Sequence, residues 1–191
     1  MASKPALDEM VEKTRSSREV FRGRILAVHV DEVELPSGFV STREVVRHGG
    51  AVAVVPVTAA GSVVMVYQYR YAAGEVTLEI PAGKLDPGEE PHECARRELG
   101  EETGLKAGRL TRLFSLLTTP GFSDEVIHVF TAEDLVDGEP NPDADENLRR
   151  VELTRDGVFR AIREGEIRDA KTIAGVLAYF HLQRPDHDPG L

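Results

Sequence analysis

Between Gly83 and Leu105 the chain spaces two glycines, four acids and an arginine in a pattern that constrains fold and chemistry together. Five residues separate Gly83 from Glu89, seven more lead to Arg97-Glu98-Leu99, one precedes Glu101-Glu102, and one more precedes Gly104-Leu105. Pro91 is placed to start a helix that ends near Gly104. Helical residues at i, i+3 and i+4 share a face, so Glu98, Glu101 and Glu102 project their carboxylates together. Three like charges repel without a cation. Carboxylate oxygens are hard ligands suited to Mg²⁺ or Mn²⁺, which keep water in their remaining positions and bind substrate phosphates. Mutual repulsion raises the proton affinity of the acids as a coupled set, so cation binding should weaken as pH falls. Ala95 and Leu99, on the opposite face, are placed to pack against a sheet.

An acid-rich helix is ordinarily a solvated surface element, with Glu93 and Arg97 or Arg97 and Glu101 paired at i, i+4. That reading explains the abundance of acids but not Gly83, the loop length, or the glycine and leucine at the helix end. A chance match to the whole pattern in a chain of this length is on the order of 10⁻⁸ at average residue usage, so the pattern is read as a site. Arg97 then serves to pair with the acids and orient them. Cys94 is read as a small packing residue and His92 as an exposed first-turn residue.

The 191 residues allow one domain, or one with a small appended unit. With 41% hydrophobic and 29% charged residues, the chain should fold around a sizeable core. An excess of 33 acids over 23 Lys and Arg leaves a formal charge of −10, which argues against a broad nucleic-acid contact. A small anionic substrate is still compatible, provided a divalent ion and a few arginines reverse the field locally. The single cysteine, Cys94, excludes an intramolecular disulfide and a cysteine-based zinc site, which fits a reducing cytoplasm. Met1 to Arg15 lacks the apolar centre of a secretion signal, and the apolar runs Ala51 to Val57 and Ile173 to Phe180 fall short of the ~20 residues that span a bilayer. The expectation is a cytoplasmic protein without a membrane anchor.

Ile25 to Leu35 and Phe39 to Val46 read as strands joined by a turn at Pro36-Ser37-Gly38, making a small antiparallel β-unit. After Gly49-Gly50, Ala51 to Val57 reads as a strand buried on both faces, followed by Val63 to Tyr71. Leu78 to Ala82 is a short apolar segment entering the loop before the acidic helix. Leu110 to Leu117, Val126 to Ala132 and Leu148 to Leu153 read as further strands, with Asp134 to Asn147 an acidic, proline-containing loop. Helices are expected over Arg155 to Glu164 and Asp169 to Leu182, the second with a stripe of Ile173, Val176, Leu177 and Phe180.

The spacing from Gly83 to Leu105 matches the Nudix box in full, and the chain resembles Nudix hydrolases, which cleave nucleoside diphosphates linked to another group. Gly49 to Val57, Tyr67-Gln68-Tyr69-Arg70, Glu79-Ile80-Pro81-Ala82-Gly83 and Pro120-Gly121-Phe122-Ser123-Asp124-Glu125 resemble the ADP-ribose pyrophosphatase branch, covering about residues 20 to 182. That branch is known for a proline fifteen residues past the box, where Pro120 stands.

The resemblance implies an α/β fold of mixed α+β type: an α/β/α sandwich around a mixed sheet (residues 49–191), preceded by an N-terminal tail and antiparallel β-unit (1–48) that exchanges across a homodimer. It implies Mg²⁺-dependent hydrolysis of ADP-ribose to AMP and ribose 5-phosphate, with Mn²⁺ a substitute. Metal would be held by Glu98, Glu101, Glu102 and the backbone carbonyl of Ala82. Arg43, Arg70, Phe122 and Glu125 match substrate-side positions, although an arginine on a strand edge is commonly only a salt-bridge partner. Glu101 and Arg97 are assigned with Glu146 to the catalytic set. Glu146 is chosen as base from Asp143, Asp145 and Glu146 because it sits just before the Leu148 strand; the plain alternative is that the loop is a solvated connection. Competing readings are a Nudix pyrophosphatase for another nucleoside diphosphate sugar, since the box does not fix the leaving group, and a non-catalytic nucleotide sensor. The retained box acids argue against the sensor.

Overall fold

In a computed structural model of the protein, residues 7–141 and 147–182 are described. The chain divides into two compact units, one of residues 1–49 with 119–125, the other of 50–118 with 126–191.

The first unit opens on a short 3₁₀ turn, Leu7–Met10, and continues as β1 (Lys13–Arg22), β2 (Leu26–Glu34) and β3 (Val40–His48). They form an antiparallel meander in the order β1-β2-β3. β1 was not expected from the sequence. Every residue of it is exposed, so it shows no alternation between buried and exposed positions. It is held instead by backbone pairing from Lys13 opposite Glu34 to Arg22 opposite Ala27, and by the Arg15–Glu34 ion pair at 2.8 Å. Residues 119–125 join this unit through Val46 N–H to the Phe122 carbonyl at 2.8 Å and Asp124 N–H to the Val46 carbonyl at 3.2 Å.

The second unit contains β4 (Ala51–Pro56), β5 (Val63–Arg70), β6 (Glu75–Glu79), β7 (Ala82–Lys84), α1 (Pro91–Thr103), β8 (Leu105–Leu117), β9 (Val126–Asp137), β10 (Leu148–Leu153), α2 (Arg155–Glu164) and α3 (Ala170–Leu182). One sheet runs β7-β4-β9-β8, with β4 parallel to β9 and its other pairs antiparallel; a second runs β10-β5-β6, antiparallel throughout. All six residues of β4 are buried, because side chains that alternate across a strand meet helices on both sides. Val52 and Val54 pack with Cys94, Ala95 and Leu99 of α1, whereas Ala53 and Val55 pack with Val158 and Val176 of α2 and α3. This is the mixed α/β sandwich implied above, with the antiparallel β-unit ahead of it. Ile173, Val176 and Phe180 of the expected stripe join that core.

Two boundaries differ from expectation. β8 begins at Leu105, directly after the acidic helix, and β9 runs on to Asp137, so Asp134 to Asp137 are strand and not loop. Gly108 and Asp134 both look like chain breakers, yet they face each other. A Cβ on Gly108 would lie 2.9 Å from the Asp134 Cβ, so the glycine leaves room for Asp134 at its positive φ of 54°. The run Leu78 to Ala82 is likewise shared between the end of β6 and the start of β7. Among the described residues no helix is long and apolar enough to cross a membrane.

α3 approaches the sheet through Gly175, where a Cβ would stand 3.0 Å from Ile80 Cδ1 and 3.2 Å from Val55 Cγ2. Gly175→Leu should therefore overpack this contact and cost roughly 1–3 kcal/mol, read as a lower Tm in a thermal melt. An unchanged Tm would mean that the helix stands further off.

Candidate functional site

The acidic helix α1 has no side-chain cap at Glu90, but Pro91 occupies its first turn, and Gly104 closes it in the left-handed region at φ 72°. Its inward face is fixed by Cys94, Ala95 and Leu99, each at most 1% exposed. That anchoring fixes the rotation of the helix and so where its acids point. Glu98 and Glu102 are buried, and Glu101 is about a third exposed at 32%.

Arg97 gathers the acids. Its Nε and Nη2 each donate to Glu89 at 2.9 Å, while Nη1 donates to Glu98 at 2.8 Å and to Glu101 at 2.9 Å. Nη2 also reaches the Lys84 carbonyl at 3.2 Å. The hydrogen bonds to Glu89, above all, raise the Arg97 pKa beyond its already high ordinary value. Conversely, the Arg97 hydrogen bond holds the Glu89 carboxyl down at about 2. The pairing between Glu93 and Arg97 is not formed, because Arg97 turns to these three acids and Glu93 lies beside His92 at 3.4 Å. The Arg97–Glu101 pair is formed. Burial pushes the Cys94 thiol up to about 12, and its Sγ donates to the Lys84 carbonyl at 3.4 Å, as suits a packing residue. His92 is half-exposed and meets the edge of Phe130.

β7 brings the glycine of the motif under the helix. A Cβ on Gly83 would stand 1.9 Å from Glu98 Cδ, so the Glu98 carboxylate rests where any other residue would place its side chain. One residue earlier, Ala82 N–H donates to Glu102 at 3.1 Å. Glu98, Glu101, Glu102, Arg97 and Ala82 are thus brought together within the second unit.

Among the described residues no three His, Cys, Asp or Glu side chains form a ready metal cage. The oxygens do fit a hard ion that retains water: Glu89, Glu98 and Glu101 surround the Arg97 guanidinium, Glu102 is held by Ala82 N–H, Glu98 and Glu102 are buried, and Gly83 clears space beside Glu98.

Arg70, at the end of β5, makes a two-pronged contact with the buried Glu79, Nε at 2.8 Å and Nη2 at 2.7 Å, and feels the charge of Glu102. Glu79 also accepts from Lys171 Nζ and from the Thr77 hydroxyl at 2.6 Å. Burial by itself would push the Glu79 carboxyl up, but Arg70 and Lys171 outweigh it and hold the pKa at about 2. Lys171 Nζ donates further to Asp169 at 2.9 Å, and Asp169 caps α3 by accepting from Thr172 N–H at 2.9 Å. The Thr172 hydroxyl in turn accepts from Ile80 N–H at 3.0 Å. The parts played by Lys171, Asp169 and Thr172 were missed in the sequence. The Asp-x-x-Thr cap was a visible signal for the last two.

The other substrate-side candidates lie in the first unit. Arg43 on β3 pairs with Glu12, its Nε donating at 2.9 Å, and that bond raises its pKa. Glu125 lies 3.5 Å from His48 Nδ1. Phe122 is exposed. Asp143, Asp145 and Glu146 lie outside the described residues, whereas Asn141 ahead of them donates its N–H to the Glu101 carbonyl at 3.0 Å.

The NUDIX domain model matches residues 47–175, and the model described as nucleoside diphosphate sugar hydrolase N-terminal domain matches residues 12–46. An ADP-ribose pyrophosphatase of Bacillus subtilis is 42% identical over 93% of this chain and 96% of its own length. A methanol dehydrogenase activator of Bacillus methanolicus is 45% identical over 90% of this chain and 94% of its own. A solved structure titled as an ADP compounds hydrolase superposes with a TM-score of 0.80 at 23% identity, covering 90% of this chain and 93% of that one, which shows the shared fold.

Two outcomes follow from the packing. Gly83→Ala should drive the Glu98 carboxylate off its seat by more than roughly 1 Å to restore normal contact, seen as a changed rotamer in a structure of the variant. An unmoved Glu98 would contradict the close approach. Because the Glu79 pKa of about 2 lies below its ordinary 4.5, ionised Glu79 contributes stability that is fully present above that ordinary value. It is lost as pH falls towards about 2 and is worth on the order of 3 kcal/mol at neutral pH. Acid melts should show this loss in the native chain and lack it in Glu79→Gln.

Proposed function

This chain belongs to the Nudix hydrolase family, and from that premise we propose that it hydrolyses the pyrophosphate bond of ADP-ribose, giving AMP and ribose 5-phosphate. The observation that carries the reaction class is the acid cluster of α1, held by Arg97 and seated on Gly83. The substrate follows from the ADP-ribose pyrophosphatase that shares 42% identity over nearly the whole chain.

The family generally uses a divalent metal. Here Glu98, Glu101, Glu102 and the Ala82 carbonyl would hold Mg²⁺, or Mn²⁺ in its place. Bound there, the ion supplies charge neutralisation for the bridging phosphates and an aligned, acidified water. The chain's own residues do the rest. Arg97 orients Glu98 and Glu101 through its hydrogen bonds, and Ala82 N–H fixes one oxygen of Glu102. Arg70 binds the substrate's diphosphate, and by the same resemblance Arg43, Phe122 and Glu125 contact substrate in a homodimeric enzyme. Glu146 takes the proton from the attacking water, a role assigned from the resemblance alone.

A second reading, hydrolysis of another nucleoside diphosphate sugar, is favoured by the description of the model matching residues 12–46. The two separate in one experiment: pure protein with Mg²⁺ is given ADP-ribose, a GDP-sugar, NADH or a dinucleoside polyphosphate, and monophosphate release is measured. A clear preference for ADP-ribose is expected, and comparable rates on all four would overturn the substrate assignment. In the same assay Glu102→Gln should lower kcat by about two orders of magnitude or more without lowering Tm, since the electrostatic contribution of the metal is lost. Near-normal turnover would refute the ligand set.

A further inference from the structure

Two cations share one buried carboxylate beside the acid cluster. Glu79, its side chain 3% exposed, accepts from Arg70 at 2.7 and 2.8 Å and from Lys171. The cations differ in freedom. Lys171, 10% exposed, is also tied to Asp169 at 2.9 Å, and Asp169 is fixed by the Thr172 backbone and hydroxyl at the start of α3. Arg70 is 40% exposed.

An arginine that is the only partner of a buried carboxylate is not available to a ligand, because leaving would strand a buried charge. A second cation behind the carboxylate keeps it paired and so lowers that penalty. Its ammonium is a compact point charge that stays paired in almost any orientation, whereas the planar fork of arginine suits two oxygens of a phosphate.

We propose that Lys171 is a positioning residue that releases Arg70: by staying paired with Glu79 from the interior, it lets the Arg70 guanidinium turn from Glu79 to the diphosphate of the substrate. The inference rests on the reading of Arg70 as a substrate-binding residue. It explains why a neutral contact between Arg70 and Glu79 is backed by a further buried cation and its own aspartate, an arrangement that simple anchoring of β6 does not require.

The test is steady-state hydrolysis of ADP-ribose with Mg²⁺ by the full chain and its variants. Lys171→Met and Glu79→Gln delete the same bridge, so a purely structural prop moves KM the same way in both. Under the proposal they diverge. Lys171→Met leaves Arg70 as the one strong partner of Glu79 and should raise KM about tenfold with kcat within about twofold, whereas Glu79→Gln frees Arg70 and leaves KM at or below the native value. Lys171→Arg should restore KM. If Lys171→Met fails to fold, the double variant Lys171→Met/Glu79→Gln, which strands no charge there, takes its place: native KM supports the proposal and a raised KM overturns it. Arg70→Ala separates the two layers of argument. An unchanged KM in Arg70→Ala sinks the substrate role of Arg70 and the proposal with it. A raised KM there with a native KM in Lys171→Met sinks the proposal alone.

Discussion

The arrangement of the acid cluster depends on a single guanidinium. Carboxylates crowded on one helix face repel, and burial adds a desolvation cost for each charge. Arg97 answers both with the geometry of its donors: one edge spans the two oxygens of Glu89, and the remaining nitrogen reaches Glu98 and Glu101. A lysine has a point charge and no fork, and could not hold three carboxylates in fixed directions. Glu89, remote from the other acids in sequence, thereby earns its place in the motif: it anchors the arginine that orients the rest.

The same site is supported from beneath by the two-sided burial of the sheet. α1 packs on one face of β4 through Cys94, Ala95 and Leu99, while α2 and α3 pack on the other. The segment between β6 and β7 connects the two sides. Ile80 N–H is held by Thr172 at the start of α3, and two residues on, Ala82 N–H is held by Glu102 of α1. These two hydrogen bonds tie α3 and α1 to one short segment within a close-packed interior.

What could be read from the sequence follows from range of interaction. Glu98, Glu101 and Glu102 are neighbours by helical periodicity, so their convergence is a local property, and Arg97 lies within the same turns. The α2 boundaries were equally legible, since Thr154 caps its first turn and Gly165 closes its last. Lys171 and Glu79 are 92 residues apart, and no local pattern announces a pair that only the packing of α3 on the sheet creates. β1 escaped for a different reason. It shows no buried-and-exposed alternation to read, because none of its residues is buried, and it exists through the hydrogen bonds that β2 offers. The loop expected from Asp134 is strand instead: its positive φ is accommodated by Gly108, which faces it across β8 and β9.

Charge balance determines how substrate and cation must be related. Arg70 and Lys171 are already balanced by Glu79 and Asp169, and Arg97 offsets only one of the four acids gathered around α1. The cluster therefore presents excess negative charge, which repels a diphosphate at short range even though arginines stand nearby. A divalent cation bound there would reverse that field, and each negative oxygen brought by substrate would in turn improve its binding. The two affinities would thus be positively linked, and such linkage is reciprocal by thermodynamic necessity. In that way an acidic chain could select an anionic ligand, its local sign set by an ion that binds in company with the substrate.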